Sequence, residues 1–264
     1  MARVARPPVT DQETITYRAA VAYDGTGYLG FQRQKGHAPT VQGALEDALQ
    51  RVTDQQVRVK AAGRTDTGVH ATGQVIAFEA AWRHSPEDLW RALNANLPDT
   101  IALQFLNRAE KGFHPRYDAR SRTYEYTLYA APVRQPLLNK YAWHVPANLF
   151  DLEAIQRAAS ILVGTHDFAT FGQPPQGENT VRVVNRSELL VMPGSKPDTQ
   201  VVRYRIEANA FLYRMVRRIV GALVRVGSGN LSVEEFEAAF RAADGTWPNP
   251  TAPAHGLCLV EVTY

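Results

Sequence analysis

The sequence predicts an α+β fold made of two α/β halves with mixed, mainly antiparallel sheets. Segments that alternate as β-strands do are interleaved with segments that have the apolar spacing of helices. Several neighbouring strands are joined by links too short to carry a parallel crossover, which favours antiparallel pairing. The chain has 264 residues and is 45% hydrophobic, which is enough for two cores of ordinary size. We therefore expect one half at residues 1–108 and the other at residues 109–264.

The first half is expected to hold four strands and two helices. The strands are predicted at residues 14–23, 57–62, 73–79 and 101–106. The first helix begins at Thr40, a capping residue that is followed by helical apolar spacing as far as Val52. The second helix begins at Ser85, has a proline in its first turn and ends before Pro98.

The second half repeats this mixture of elements. Its strands are predicted at residues 122–129, 181–191, 201–208 and 257–262. Its helices are predicted at residues 152–162, 214–226 and 232–242. The last helix opens with a capping box, in which Ser232 and Glu235 satisfy each other's backbone N–H groups.

Composition narrows the classes of function. The single cysteine, Cys258, cannot form an intramolecular disulfide, and the histidines show no ligand spacing, so no metal is expected. Residues 1–12 are polar and no apolar run approaches the length of a membrane span, so we expect a cytoplasmic protein without a membrane partner. The net charge of +3 indicates an anionic partner only weakly. Most basic residues are arginines, which suits phosphate recognition but is also typical of a codon bias.

One motif indicates a nucleotide site that its context does not support. The letters GTGYLG, residues 25–30, match the dinucleotide-binding pattern of three glycines after a predicted strand. That pattern requires a helix to begin within the glycines, whereas the next predicted helix begins only at Thr40. We therefore interpret residues 25–30 as a loop whose glycines allow positive φ, and we expect no nucleotide cofactor.

A second loop, GRTDTGVH at residues 63–70, places Asp66 between two threonines. An aspartate in such a sequence is more often a turn residue than a catalyst. Arg64 and His70 supply donors from the same loop, and a nearby guanidinium favours the ionised carboxylate. An ionised aspartate is suited to nucleophilic attack or to the stabilisation of a cationic centre, so both interpretations remain open from the residues alone.

The strand RTYEYTLY and the turn before it combine basic and aromatic residues. Arg122 and Tyr124 fall on the same face of the strand, where they are either core residues or a stacking platform for unstacked bases. The turn FHPR, which contains Arg116, lies just upstream. These residues are candidates for contact with a nucleic acid.

The helix at residues 214–226 carries a stripe of arginines. At about 100° per residue, Arg214, Arg217, Arg218 and Arg225 fall together, and most other positions are apolar. A solvated helix face explains this pattern as readily as an anion-binding cleft does. The absence of an acidic residue from the stripe favours the cleft.

Together these motifs resemble the ordered motif set of the TruA-type tRNA pseudouridine synthases. The resemblance covers nearly the whole chain and rests on seven segments in order. They are YDGTGYLGFQRQ (23–34), GRTDTGVHATGQV (63–75), LPDTI (97–101), FHPRYDARSRTYEY (113–126), GTHDFATF (164–171), NAFLYRMVRRIVG (209–221) and APAHGLCLVEV (252–262).

The resemblance implies the pseudouridine synthase fold, with two halves around a central cleft, and a homodimer that grips tRNA. It also implies isomerisation of uridine to pseudouridine at positions 38–40 of the anticodon arm. Asp66 matches the catalytic aspartate, Tyr124 the tyrosine that stacks on the target base, and Arg217 the basic partner of the aspartate. Arg64 matches an arginine that helps to hold the base out of the stack. We add Arg116 and Arg218 as substrate-binding residues.

The chemistry of the implied reaction fits these roles. The enzyme must flip the nucleotide, break the N1–C1′ bond, turn the uracil and join C5 to C1′. Breaking that bond builds positive charge at C1′, which an anion can stabilise or trap. Asp66 could attack C1′, add to the uracil ring or remove a ribose proton, and we favour a role at the sugar. Tyr124 is a candidate to assist the loss of the C5 proton, and no cofactor is required.

Three positions depart from the family pattern. Phe31 stands where a tryptophan is usual, Thr67 replaces a common alanine, and Gly172 stands where an arginine is expected. The alternatives to the enzyme are an RNA-binding module of the same fold that has lost catalysis and a nucleotide-dependent enzyme that uses residues 25–30. The presence of Asp66, Arg217 and Tyr124 favours the synthase over the inactive module. Failure of the protein to bind a dinucleotide cofactor would exclude the nucleotide-dependent enzyme.

Overall fold

The computed structural model describes residues 13–36, 38–146, 151–174, 177–194 and 198–264. Residues 1–12, on which the expectation about a targeting segment depends, lie outside the described residues. Within the described part of the chain, no helix combines the length and the apolar character needed to cross a membrane.

The structure confirms an α+β fold. Five α-helices are described: α1 (Val41–Thr53), α2 (Pro86–Asn94), α3 (Leu152–Ser160), α4 (Met215–Gly227) and α5 (Val233–Ala242). Ten strands are described: β1 (Ile15–Tyr23), β2 (Lys60–Ala61), β3 (His70–Ala80), β4 (Ile101–Arg108), β5 (Ser121–Ala130), β6 (Trp143–Val145), β7 (Gly164–Asp167), β8 (Val181–Pro193), β9 (Gln200–Ala208) and β10 (Leu257–Thr263).

The predicted helices and long strands are all present. They could be predicted because their sequence signals are local. Thr40 caps α1 by accepting from the N–H of Gly43, and α2 and α5 both begin with a capping box. The strand predicted at residues 57–62 is wrong in length, since only the two residues of β2 pair with β3 before the chain leaves the sheet. The short strands β6 and β7 were not predicted, because three or four residues carry too little alternation to be recognised.

The ten strands form one continuous sheet in the order β4-β1-β3-β10-β5-β9-β8-β7, with β2 beside β3 and β6 beside β5. Pairing is mainly antiparallel, as predicted, and the two parallel pairs are β10 with β3 and β5 with β6. The halves therefore share a sheet, and the last strand of the chain joins them at its centre. The boundary at residues 108 and 109 falls between β4 and β5 and remains a prediction.

A single large cluster of buried side chains covers both halves of the sheet. Tyr17 on β1, Tyr126 on β5 and Tyr204 on β9 are almost fully buried in this cluster, together with apolar residues of all five helices. Helix α4 contributes a nearly continuous buried surface, of which Ile219 is an example. The central strands and α4 are consequently fixed by the core, which makes them a rigid base for a site.

Candidate active site

The loop that carries Asp66 joins β2 to β3 near the centre of the sheet. Its first residue, Gly63, donates its N–H to Oε1 of buried Gln74 at 3.3 Å and accepts from Nε2 of the same side chain at 2.8 Å. Thr65 forms a buried hydroxyl contact with Tyr23 at 2.8 Å, and the N–H of Val69 donates to Asp66 O at 3.1 Å. These bonds fix the backbone on both sides of Asp66.

The glycine-bearing loop at residues 24–31 packs directly against the Asp66 loop. Gly25 N–H donates to Nδ1 of His70 at 3.0 Å, and Phe31 N–H donates to Thr65 O at 3.0 Å. No helix begins within these glycines, because α1 starts only at Val41, and the interpretation of GTGYLG as a loop is confirmed. The loop supports the backbone beside Asp66.

Gly30 shows why this support requires glycine. Its φ is +94°, and a Cβ added there would lie 2.8 Å from Thr65 O, closer than a side-chain carbon can approach a backbone oxygen. Any other residue at this position would therefore push the Asp66 loop away or strain the backbone.

We expect Gly30→Ala to destabilise the fold by about 1–3 kcal/mol and also to slow turnover, because the added carbon displaces the Asp66 loop. Urea unfolding and single-turnover assays would measure the two effects. Gly27→Ala is the matched control, since Gly27 also has a positive φ but would have no atom within 4 Å of its Cβ. Equal effects of the two substitutions on turnover would contradict the supporting role of Gly30.

Asp66 forms an ion pair with Arg217 of α4. Arg217 Nη1 donates to Asp66 Oδ2 at 3.3 Å. The side chain of Arg217 is 14% exposed and that of Asp66 is 27% exposed. Arg217 is the sole hydrogen-bond partner of this carboxylate among the described residues, so Asp66 does not cap its own turn. Arg217 is itself fixed, because its Nε donates to Ala252 O at 2.7 Å and its backbone O accepts from Ala252 N–H at 3.0 Å.

Tyr124 lies beside Gly63, the first residue of the same loop. A Cβ built on Gly63 would be 3.7 Å from the Tyr124 hydroxyl oxygen, and the Tyr124 ring meets Phe211 edge-on at a centroid distance of 5.0 Å. The side chain is 8% exposed, and burial raises the pKa of its hydroxyl well above the usual value. The nearby Asp66 charge acts in the same direction, while Arg122 opposes it. Asp66, Arg217 and Tyr124 thus lie close together.

The other predicted binding residues lie around this group with different degrees of exposure. Arg64 and Arg116 are exposed, and the Arg116 guanidinium lies 5.7 Å from the centroid of the Tyr117 ring. Arg218 is half-buried on α4, and its backbone O accepts from Asn249 Nδ2. Arg225 is engaged within the protein, because Nη1 donates to Pro248 O at 3.2 Å and the guanidinium lies over the Trp247 ring.

Arg122 does not form the stacking platform that the strand pattern allowed. It is buried, and its two Nη atoms donate to four backbone carbonyls, so the guanidinium is engaged within the fold. Its position on the core-facing row with Tyr124 and Tyr126 was the available signal for burial. Tyr117 lies next to the basic turn and is 74% exposed. The sequence analysis did not identify it as a candidate for contact with a base.

The three departures from the family pattern are accommodated locally. Phe31 is 2% exposed and packs against the Tyr23 ring, whereas Thr67 faces solvent. At Gly172, a Cβ would lie 2.7 Å from Leu212 Cβ and 2.8 Å from Tyr213 O, so this backbone has no room for the expected arginine. The described residues contain no group of three or more His, Cys, Asp and Glu side chains arranged to hold a metal ion.

Comparisons with known proteins identify the family of this chain. The profile of a family described as "tRNA pseudouridine synthase" matches residues 19–118 and 158–264. A protein of Thermotoga neapolitana named tRNA pseudouridine synthase A is 41% identical over 247 residues, which is 93% of this chain and 98% of the relative. A Neisseria gonorrhoeae protein of the same name is 44% identical over 92% of this chain and 90% of its own length. The chain therefore belongs to the tRNA pseudouridine synthase family, a family of isomerases.

Proposed function

We propose that this protein converts uridine to pseudouridine at positions 38–40 of the tRNA anticodon arm and that Asp66 is its catalytic carboxylate. The observation that carries the proposal is the Asp66–Arg217 pair beside Tyr124, held at 3.3 Å by two independently fixed segments. The choice of the anticodon arm rests on the resemblance of the motif set. A paired, partly exposed carboxylate favours an enzyme over an RNA-binding module of the same fold.

The geometry suits a role for Asp66 at the sugar. Cleavage of the N1–C1′ bond leaves positive charge at C1′, and an oriented carboxylate beside it can stabilise or trap that centre. The uracil then turns, C5 bonds to C1′, and the proton on C5 leaves while N1 gains one. Arg217 keeps the carboxylate in one orientation through this sequence, because its own position is fixed by Ala252.

Tyr124 contributes by contact with the base in this proposal. Burial raises the pKa of its hydroxyl, so the group is a neutral phenol at physiological pH. A neutral phenol is a poor resident base, which favours stacking on the flipped uracil over acceptance of the C5 proton. The perpendicular packing of Phe211 against Tyr124 fixes the orientation of the Tyr124 ring.

Exposed cations around the site would hold the tRNA backbone. We assign this role to exposed Arg116 and to half-buried Arg218, whose contacts with phosphate would offset the cost of unstacking the target nucleotide. Exposed Arg64 would help to hold the target base out of the stack. We also propose that two copies of the chain act on the tRNA as a homodimer, as the resemblance implies. Sedimentation at micromolar concentration should give a dimer, and a monomer that modifies tRNA would contradict this part.

The choice of position is tested with tRNA transcripts that each retain uridine at only one of positions 38, 39 and 40. Pseudouridine mapping should find modification at these positions in the transcripts that carry them. A transcript with uridines elsewhere, but none at 38–40, is the matched control. Modification of the control at the same rate would contradict the proposed site.

We expect Arg218→Gln to weaken tRNA binding and to lower the slope of log K against log salt by about one, as the loss of one phosphate contact does. Arg225→Gln is the matched control on the same helix, since Arg225 already interacts with Pro248 and Trp247. Binding titrations at several salt concentrations measure both slopes. An unchanged slope for Arg218→Gln would assign Arg218 to a solvated helix face.

A further inference from the structure

Arg122 is a buried cation that binds four backbone carbonyls. Its Nη1 donates to Asn209 O at 2.8 Å and to Ala119 O at 3.3 Å. Its Nη2 donates to Ala62 O at 3.1 Å and to Arg116 O at 2.5 Å. Among the described residues, no carboxylate forms an ion pair with this guanidinium.

The four carbonyls belong to three segments that are far apart in the sequence. Ala62 immediately precedes the loop that carries Asp66, and Arg116 and Ala119 belong to the basic turn before β5. Asn209 follows β9 and begins the segment that leads through Phe211 into α4. One guanidinium thus contacts the segments that carry Asp66, Arg116 and Phe211, and the Phe211 ring packs against Tyr124.

A charged side chain is rarely buried without a carboxylate partner. Burial of an unpaired cation is unfavourable, and burial lowers the pKa of Arg122. Four charge-assisted hydrogen bonds offset this cost, and they require the planar fork of arginine with its five donors. A lysine has a single point of charge and could not reach all four carbonyls at once.

We propose that Arg122 is a positioning residue, which holds the Asp66 loop, the basic turn and the segment before α4 in fixed register around Tyr124. This inference rests on the proposed function. Loss of the contacts would let Ala62 and Asn209 move independently. A displacement of about 1 Å at a reacting group can cost about 100-fold in rate.

The test is Arg122→Lys, which retains the charge and removes the fork. We expect the single-turnover rate at saturating tRNA to fall by about 100-fold, with a much smaller rise in the dissociation constant for tRNA. If Arg122 had only a structural role, a fully folded variant would not lose rate without a comparable loss of tRNA binding. Circular dichroism and thermal unfolding would check that each variant is folded under the assay conditions.

Arg182→Lys is the matched control. Arg182 is a buried arginine on β8, 9% exposed, and it also donates only to backbone carbonyls, those of Asn179 at 3.0 Å and Val181 at 2.6 Å. These carbonyls lie within three residues of Arg182 in the sequence, so Arg182→Lys should lower stability and leave the rate of folded enzyme near that of the wild type. If Arg122→Lys does not fold, the neutral Arg122→Gln variant replaces it, with the same slow turnover expected.

The outcomes separate this inference from the proposed function. Equal rates at saturation for folded Arg122→Lys and Arg182→Lys would overturn the positioning role while leaving a functional synthase. A rise in the dissociation constant as large as the fall in rate would also overturn it, because Arg122 would then act through binding alone. An inactive wild type would contradict the proposed function instead.

Discussion

Asp66→Asn is expected to abolish turnover while leaving tRNA binding nearly unchanged. The substitution removes the negative charge that we propose to act at C1′ and preserves almost the whole shape of the side chain. The new amide could still accept from the Arg217 guanidinium but would no longer form an ion pair with it. The bonds of Gly63, Thr65 and Val69 that fix the loop do not involve the carboxylate. Single-turnover assays and filter binding on the same preparation would measure the two quantities.

The matched control for this prediction is Asp47→Asn. Asp47 on α1 also pairs with an arginine, Arg33, at 2.6 Å, but it is exposed and lies outside the site. This control should keep both turnover and binding. If Asp66→Asn retained turnover, Asp66 would be a turn residue, and if it lost binding to the same degree as turnover, the carboxylate would be structural.

Arg217→Met is expected to slow turnover by about 100-fold, as the removal of one preorganised donor does in other active sites. The change leaves Asp66 without its partner and also removes the Nε bond that ties α4 to Ala252 O. Arg217→Lys should recover part of the rate, because it restores the charge but cannot make both contacts.

Rates for the Arg217 variants should be measured at saturating tRNA, so that a loss of binding does not contribute. Arg33→Met removes the cation of the exposed pair with Asp47 and serves as the control. A wild-type rate for Arg217→Met would mean that the ion pair stabilises the fold without orienting Asp66.

The elements of this fold were predictable where the signal is local. The caps at Thr40, Ser85 and Ser232 and the alternation of the long strands each identify one segment without reference to the rest of the chain. The order of strands was not predictable in this way. The parallel pairing of β10 with β3, which closes the centre of the sheet, joins Cys258 to His70, and nothing near either residue encodes that choice.

The residues of the candidate site could be identified from sequence, but their contacts across the chain could not. Asp66, Arg217 and Tyr124 were identified from residue type and from the motif resemblance, but the pair of Asp66 with Arg217 spans 151 positions. The role of Arg122 was not visible, because its four acceptors are backbone carbonyls that carry no signal in the sequence. The sequence context predicted that the glycines of residues 25–30 form a loop, but not that this loop packs against the Asp66 loop.

The most direct test of the account is the release of tritium to water from tRNA transcripts labelled at uridine C5, with the purified wild-type protein and no added cofactor. Pseudouridine formation replaces the C5–H bond with the C5–C1′ bond, so each turnover should release one label. We expect release from transcripts with uridine at positions 38–40. A folded wild-type protein that binds these transcripts and releases no tritium would contradict it.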